Sequence, residues 1–298
     1  NRPAEKLNFD LLMLMSYRIP TLLTFLIFCL NGLNAQNTYR FQLNNGLEVF
    51  MVKDSTHEDY FVSLAVKGGQ IFDRCGRQGT SYVMEQLPLS GNTVHSDASS
   101  YELLQRTIFP DLKSFNKAEH IRYQGTTKSP VSGAQFLKEI ILFPSFSPQA
   151  REVAVARANQ KIAKLSLDDD FFAEKTLWNR VFSESRCPIN IYPDTVLKAS
   201  DFSLDSLNRL YEKYYRPDRA LLTVQGPFED VNKLKQDLGN VFIDWTVETE
   251  NPFIEIPSVY RTNAMINHNQ EIRFRDGDEI DYYLAFQGPS LDDNFDLV

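Results

Sequence analysis

The side chains best suited to chemistry are scattered along this chain rather than gathered. Four histidines, His57, His95, His120 and His268, stand far apart, and no two have the spacing that brings imidazoles onto one metal ion. His95, Asp97 and Glu102 form the tightest set and could meet a cation, but Asp97 with Ser99 and Ser100 also reads as the cap of a short helix at Tyr101, a polar loop with no chemistry. Glu119 and His120 read as a solvated pair. Cys75 stands beside Arg74 and Arg77, whose charges favour a thiolate, yet no base accompanies it and an ordinary thiol is expected. Asp168, Asp169 and Asp170 have the look of a calcium-binding run. Placed directly before Phe171 and Phe172, they instead predict a helix cap with favourable charge at the positive end of the helix dipole. Tyr211, Tyr214 and Tyr215, at i, i+3 and i+4, predict core packing rather than a binding platform.

Composition bounds what these groups can serve. The 298 residues carry 31 Lys and Arg against 39 Asp and Glu, a net charge of -8, with 43% hydrophobic residues. Disorder, collagen and a polytopic membrane protein are excluded, and the length allows about two domains. Three cysteines, Cys29, Cys75 and Cys187, build no disulfide framework. No Lys/Arg-rich block supplies the positive footprint that nucleic acid demands. Residues 21–30 are mostly apolar, follow Arg18 and precede a small-residue site ending at Ala35, the order of a secretory signal peptide. The run is about half the length a spanning helix needs, so cleavage after Ala35 is expected, with residues 1–12 as upstream sequence outside the signal. Contact with a membrane is then limited to the signal peptide. Residues 1–35 carry a net +1, leaving -9 on the exported part, and a periplasmic location is expected.

Past the signal, residues 39–43 and 47–52 alternate around Asn44-Asn45-Gly46, a hairpin, and residues 61–66 form a third strand. A helix is expected over 79–86, followed by an ambiguous segment to 129. Helices are expected over 131–143, 148–165 and 169–182, the second opened by Ser147-Pro148. Ser203 caps a helix over 204–215, residues 220–225 read as a buried strand, and a helix over 229–238 is stopped by Gly239. Residues 36–246 thus form a first domain of α+β class and 247–258 a linker rich in Glu, Asn and Pro. Residues 259–298, with strands over 271–275 and 282–286, begin a second unit, and the chain reads as a piece of a longer protein.

Five short motifs occur in an order that resembles one family. Leu43-Asn-Asn-Gly-Leu-Glu-Val49 is similar to the opening of the pitrilysin/insulinase zinc metallopeptidases, which include the mitochondrial processing peptidases. Val66-Lys-Gly-Gly69, Phe143-Pro-Ser-Phe-Ser147, Tyr214-Tyr-Arg-Pro-Asp-Arg-Ala220 with Thr223-Val-Gln-Gly226, and Phe286-Gln-Gly-Pro289 resemble later landmarks of the same family. The resemblance runs from Tyr39 to the C-terminus. It implies an α/β roll, a mixed sheet packed against helices, repeated as a second similar domain, with paired halves closing around an unfolded peptide.

In that family the chemistry lies in an H-x-x-E-H motif, whose histidines bind zinc while the Glu activates water. The matching stretch here, Gly79 to Gly91, holds Tyr82 and Gln86 at the histidine positions and keeps only Glu85. A phenol and a carboxamide are poor zinc ligands. The family's third ligand, a Glu about 75 residues later, maps to Ala154–Lys161, which has no carboxylate, Asn159 included. Pro88 should also cut the motif helix short. No metal and no cofactor is therefore expected. Without a metal, Glu85 is expected on the helix surface or in a hydrogen bond. Two functions fit. One is a non-catalytic exported subunit that binds unstructured peptides or partners a zinc-bearing sister peptidase. The other is an active zinc metalloendopeptidase whose ligands are unrecognised or lie in a missing C-terminal part.

Overall fold

The computed structural model describes residues 37–246, apart from 74–76, 95–97, 169, 172, 174 and 178–195. The expected signal peptide, the linker over 247–258, the second unit over 259–298, most of the helix over 169–182, and Cys75, His95 and Asp97 lie outside the described residues.

The Asn44-Asn45-Gly46 turn joins β1 (Asn37–Gln42) to β2 (Glu48–Lys53). Gly46 takes a φ of 91°, which a side chain would resist, and the Asn45 amide ties the turn to the carbonyls of Phe242 and Trp245, both at 2.9 Å. With β3 (Tyr60–Lys67), β4 (Lys113–Asn116), β5 (His120–Thr127) and β6 (Ala220–Gly226), these strands form one six-stranded sheet in the order β1-β2-β6-β3-β5-β4. The β2–β6 pair is parallel, whereas β3 runs antiparallel to β6 and β5, and β4 antiparallel to β5. Alternation buries Val49, Met51, Val62, Leu64, Val66, Ile121, Tyr123, Leu222 and Val224 completely on one face.

The helices are α1 (Thr80–Ser90), α2 (Ala98–Ile108), α3 (Pro130–Leu142), α4 (Pro148–Leu165), α5 (Leu204–Tyr214) and α6 (Val231–Val241). Ser129, Ser147, Ser203 and Asp230 each accept a hydrogen bond from the amide three residues on, so α3, α4, α5 and α6 start where their caps dictate. One open stretch is settled and one sequence expectation needs correction. The ambiguous stretch to 129 resolves into α2, β4 and β5. Gly239 does not stop α6, because the buried face of Leu234, Leu238 and Val241 carries the helix past it.

A second correction concerns α1. Pro88 does not cut it short: the helix continues to Ser90 with Pro88 inside it. Proline has no amide to donate to the carbonyl four residues back, Met84, and that carbonyl instead accepts the hydroxyl of Tyr215 at 3.0 Å. Beside it, Tyr123 donates to the carbonyl of Glu85 at 2.9 Å. The two phenol oxygens approach to 3.2 Å, each with its single proton committed to the helix. Tyr211 stacks on Tyr215 with ring centroids 3.8 Å apart and donates to the Ile141 carbonyl at 2.7 Å. The expected core packing of Tyr211, Tyr214 and Tyr215 is what the structure shows, all three being buried.

Burial first, and the neighbouring phenols second, push the Tyr123 hydroxyl well above its ordinary pKa, and burial does the same at Tyr211 and Tyr215. An acid held neutral in the fold contributes stability that is complete below its unfolded pKa of about 10 and is lost as pH rises above it. Tyrosinate absorbance from these three residues should therefore appear together with loss of helical circular dichroism above about pH 10, not before it. Tyr215→Phe should cost about 1–3 kcal/mol by orphaning the Met84 carbonyl. In a Pro88→Ala background, where an amide returns to that carbonyl, the cost should shrink, and urea unfolding of the double-mutant cycle reads the coupling.

Candidate functional site

The motif helix is positioned from both ends. At its start Gly79 has a φ of 88° and supplies no side-chain cap. Asp73 caps it from outside, accepting from the amides of Gly79 and Ser81, both at 2.8 Å, and from the Ser81 hydroxyl at 3.0 Å. At its other end Arg157, on α4, donates to the Leu89 carbonyl. Every residue of α1 from Thr80 to Pro88 is buried, so the polar side chains among them must find partners inside the protein.

Those partners define the site. The Tyr82 hydroxyl accepts from Gln70 at 2.9 Å. Gln86 donates to the Ser114 hydroxyl on β4 at 3.4 Å. Glu85, with no exposed surface, receives the ammonium of Lys161 from α4 on one carboxylate oxygen, while its other oxygen has no hydrogen-bond partner among the described residues. Lys161 also donates to the Ser114 carbonyl at 2.9 Å. The surface position allowed for Glu85 in the sequence is thus corrected to full burial, and its hydrogen-bonded alternative holds.

Lys161 is the residue that sequence reading missed. It sits in the Ala154–Lys161 stretch searched for a carboxylate, and Arg157, one turn earlier, shares its face, so α4 presents two cations to α1. Asn159 is turned elsewhere, clasping the backbone of Leu197 through two hydrogen bonds of 2.9 Å. Its replacement by Glu would not face Glu85.

The remaining candidates do not join this site. Glu102 pairs with Arg106 on its own helix at 2.6 Å. His120 is half-buried at the start of β5, its pKa held below the usual value by burial first and by Arg122 second. Asp168 accepts from the amides of Asp170 and Phe171 at 3.0 and 3.3 Å, the expected capping role. No group of three His, Cys, Asp or Glu side chains among the described residues could hold a metal ion.

Donor chemistry decides whether the zinc of an H-x-x-E-H helix suits this helix pair. A phenol already accepting a hydrogen bond, a carboxamide and one carboxylate already neutralised by an ammonium offer neither two basic nitrogens nor a free negative charge. They do not fit the ion.

Several known proteins share this architecture. The model of the Peptidase M16 inactive domain family matches residues 201–298. No curated protein matches the chain in sequence. Among solved structures, an M16-like peptidase from Alicyclobacillus acidocaldarius aligns at 13% identity with a TM-score of 0.58, over 72% of this chain and 51% of that one. The periplasmic protease PqqL from Escherichia coli aligns at 13% identity and TM-score 0.61, over 74% and 26% of the two chains. Pitrilysin aligns at 14% identity and TM-score 0.62, over 74% and 24%. The chain therefore spans about half the length of the first of these and about a quarter of the other two. The chain is thus similar to M16 peptidases in fold, and over residues 201–298 in sequence to the inactive domain of that family.

Proposed function

We propose that this chain is an exported, non-catalytic member of its family, binding unstructured peptides or completing a peptidase complex whose zinc is carried by a sister chain. The observation that carries the reading is the ammonium of Lys161 on the carboxylate of Glu85, the one motif side chain that could act as a general base. A carboxylate so neutralised and fully buried is not free to take a proton from water. What the fold retains is a scaffold. β4 ends the sheet beside α1 and is hydrogen-bonded to β5 alone among the described strands, which supports pairing of an extended peptide along its other edge. The Ser114 carbonyl on β4 is already engaged by Lys161. That PqqL is a periplasmic protease supports export of this relative too.

The chain should co-purify with a zinc-bearing M16 peptidase from the same cell, and the complex should cleave unstructured peptides faster than that peptidase alone. It should hydrolyse none by itself. Equal rates with and without this chain, and no complex at micromolar concentration, would overturn the subunit reading. Peptide hydrolysis by the purified chain, abolished by Glu85→Gln, would establish an active metallopeptidase instead.

A further inference from the structure

We propose that Lys161 is a tethered cation standing in for a metal ion between α1 and α4, and that its ammonium, rather than the residues at 82 and 86 alone, closes the site to zinc. The inference rests on the non-catalytic reading and deepens it by naming the group responsible.

A carboxylate with no exposed surface must be neutralised, and among the described residues the countercharge is supplied by one side chain. Lys161 joins three elements at once: its own helix α4, Glu85 on α1, and the Ser114 carbonyl on β4. A metal ion drawing ligands from two helices would tie the same elements. The side chain of Lys161 is only 24% exposed and that of Glu85 not at all, so solvent screens their attraction weakly. The second oxygen of Glu85, buried and without a partner among the described residues, is the lone pair that a stronger cation would claim. A zinc ion entering between α1 and α4 would meet the ammonium already held on Glu85, and like charges brought together in a buried setting oppose each other strongly. Arg157, bound to the Leu89 carbonyl one turn away, adds a second positive charge on the same face.

The test uses the full chain in four variants, read by urea unfolding and by zinc titration after dialysis against a chelator. Lys161→Met should lower the urea midpoint markedly, because Glu85 is left buried and unpaired, and Glu85→Gln combined with Lys161→Met should recover most of the loss. Tyr82→His with Gln86→His should bind zinc at least about tenfold more weakly than the same pair joined to Lys161→Glu. If the triple variant does not fold, the comparison of Lys161→Met with its Glu85→Gln partner variant decides alone. An unchanged midpoint for Lys161→Met, or equal zinc affinity with and without Lys161, would overturn the inference while leaving the subunit reading intact. One tightly held zinc in the unaltered chain would overturn both, and co-purification without faster cleavage touches only the subunit reading.

Discussion

A carboxylate buried without any exposure is the constraint around which this domain is arranged. Left unpaired, the charge of Glu85 would carry its full desolvation cost, and the contact between α1 and α4 would loosen. The ammonium of Lys161 answers it, and the geometry of three elements follows from that one ion pair. Such a pair gains little over a well-packed apolar pair of the same size, but breaking one partner is costly.

The same helix shows how a second irregularity is absorbed. Pro88 removes a helical hydrogen bond from Met84, and the hydroxyls of Tyr215 and Tyr123 arrive from α5's end and from β5 to satisfy the carbonyls there. The helix is thereby bound into the core through its backbone as well as through Glu85. A motif helix in a working metal site needs its side chains free to reach a ligand and substrate. Here Tyr82, Glu85 and Gln86 are each occupied by a neighbour, Gln70, Lys161 and Ser114.

Much of this was readable from local sequence. The Asn44-Asn45-Gly46 turn, the Ser147-Pro148 start of α4, and the strands β2, β3 and β6 are set by interactions within a few residues, and their expected bounds nearly match the final ones. The motif positions 82, 85 and 86 came from the resemblance of the Gly79–Gly91 stretch to an H-x-x-E-H helix. Lys161 was not legible, because its role depends on the rotation of α4 against α1, which no local pattern encodes. The signal available was indirect: a lysine at the end of the segment where a carboxylate was sought. Pro88 misled for a related reason. Its local rule is sound, but partners distant in sequence, Tyr123 and Tyr215, supply what the missing amide cannot. Gly239 failed as a stop because tertiary burial of Val241 outweighed the glycine's helix penalty of about 1 kcal/mol.

The central claim is that the positive charge between α1 and α4 belongs to the protein. A crystal of the unaltered chain soaked in zinc, with anomalous data collected at the zinc edge, tests it most directly. The account predicts no anomalous peak beside Glu85 and the Lys161 ammonium within hydrogen-bonding distance of its carboxylate. A zinc peak bound by Glu85, with Lys161 swung out to solvent, would contradict it.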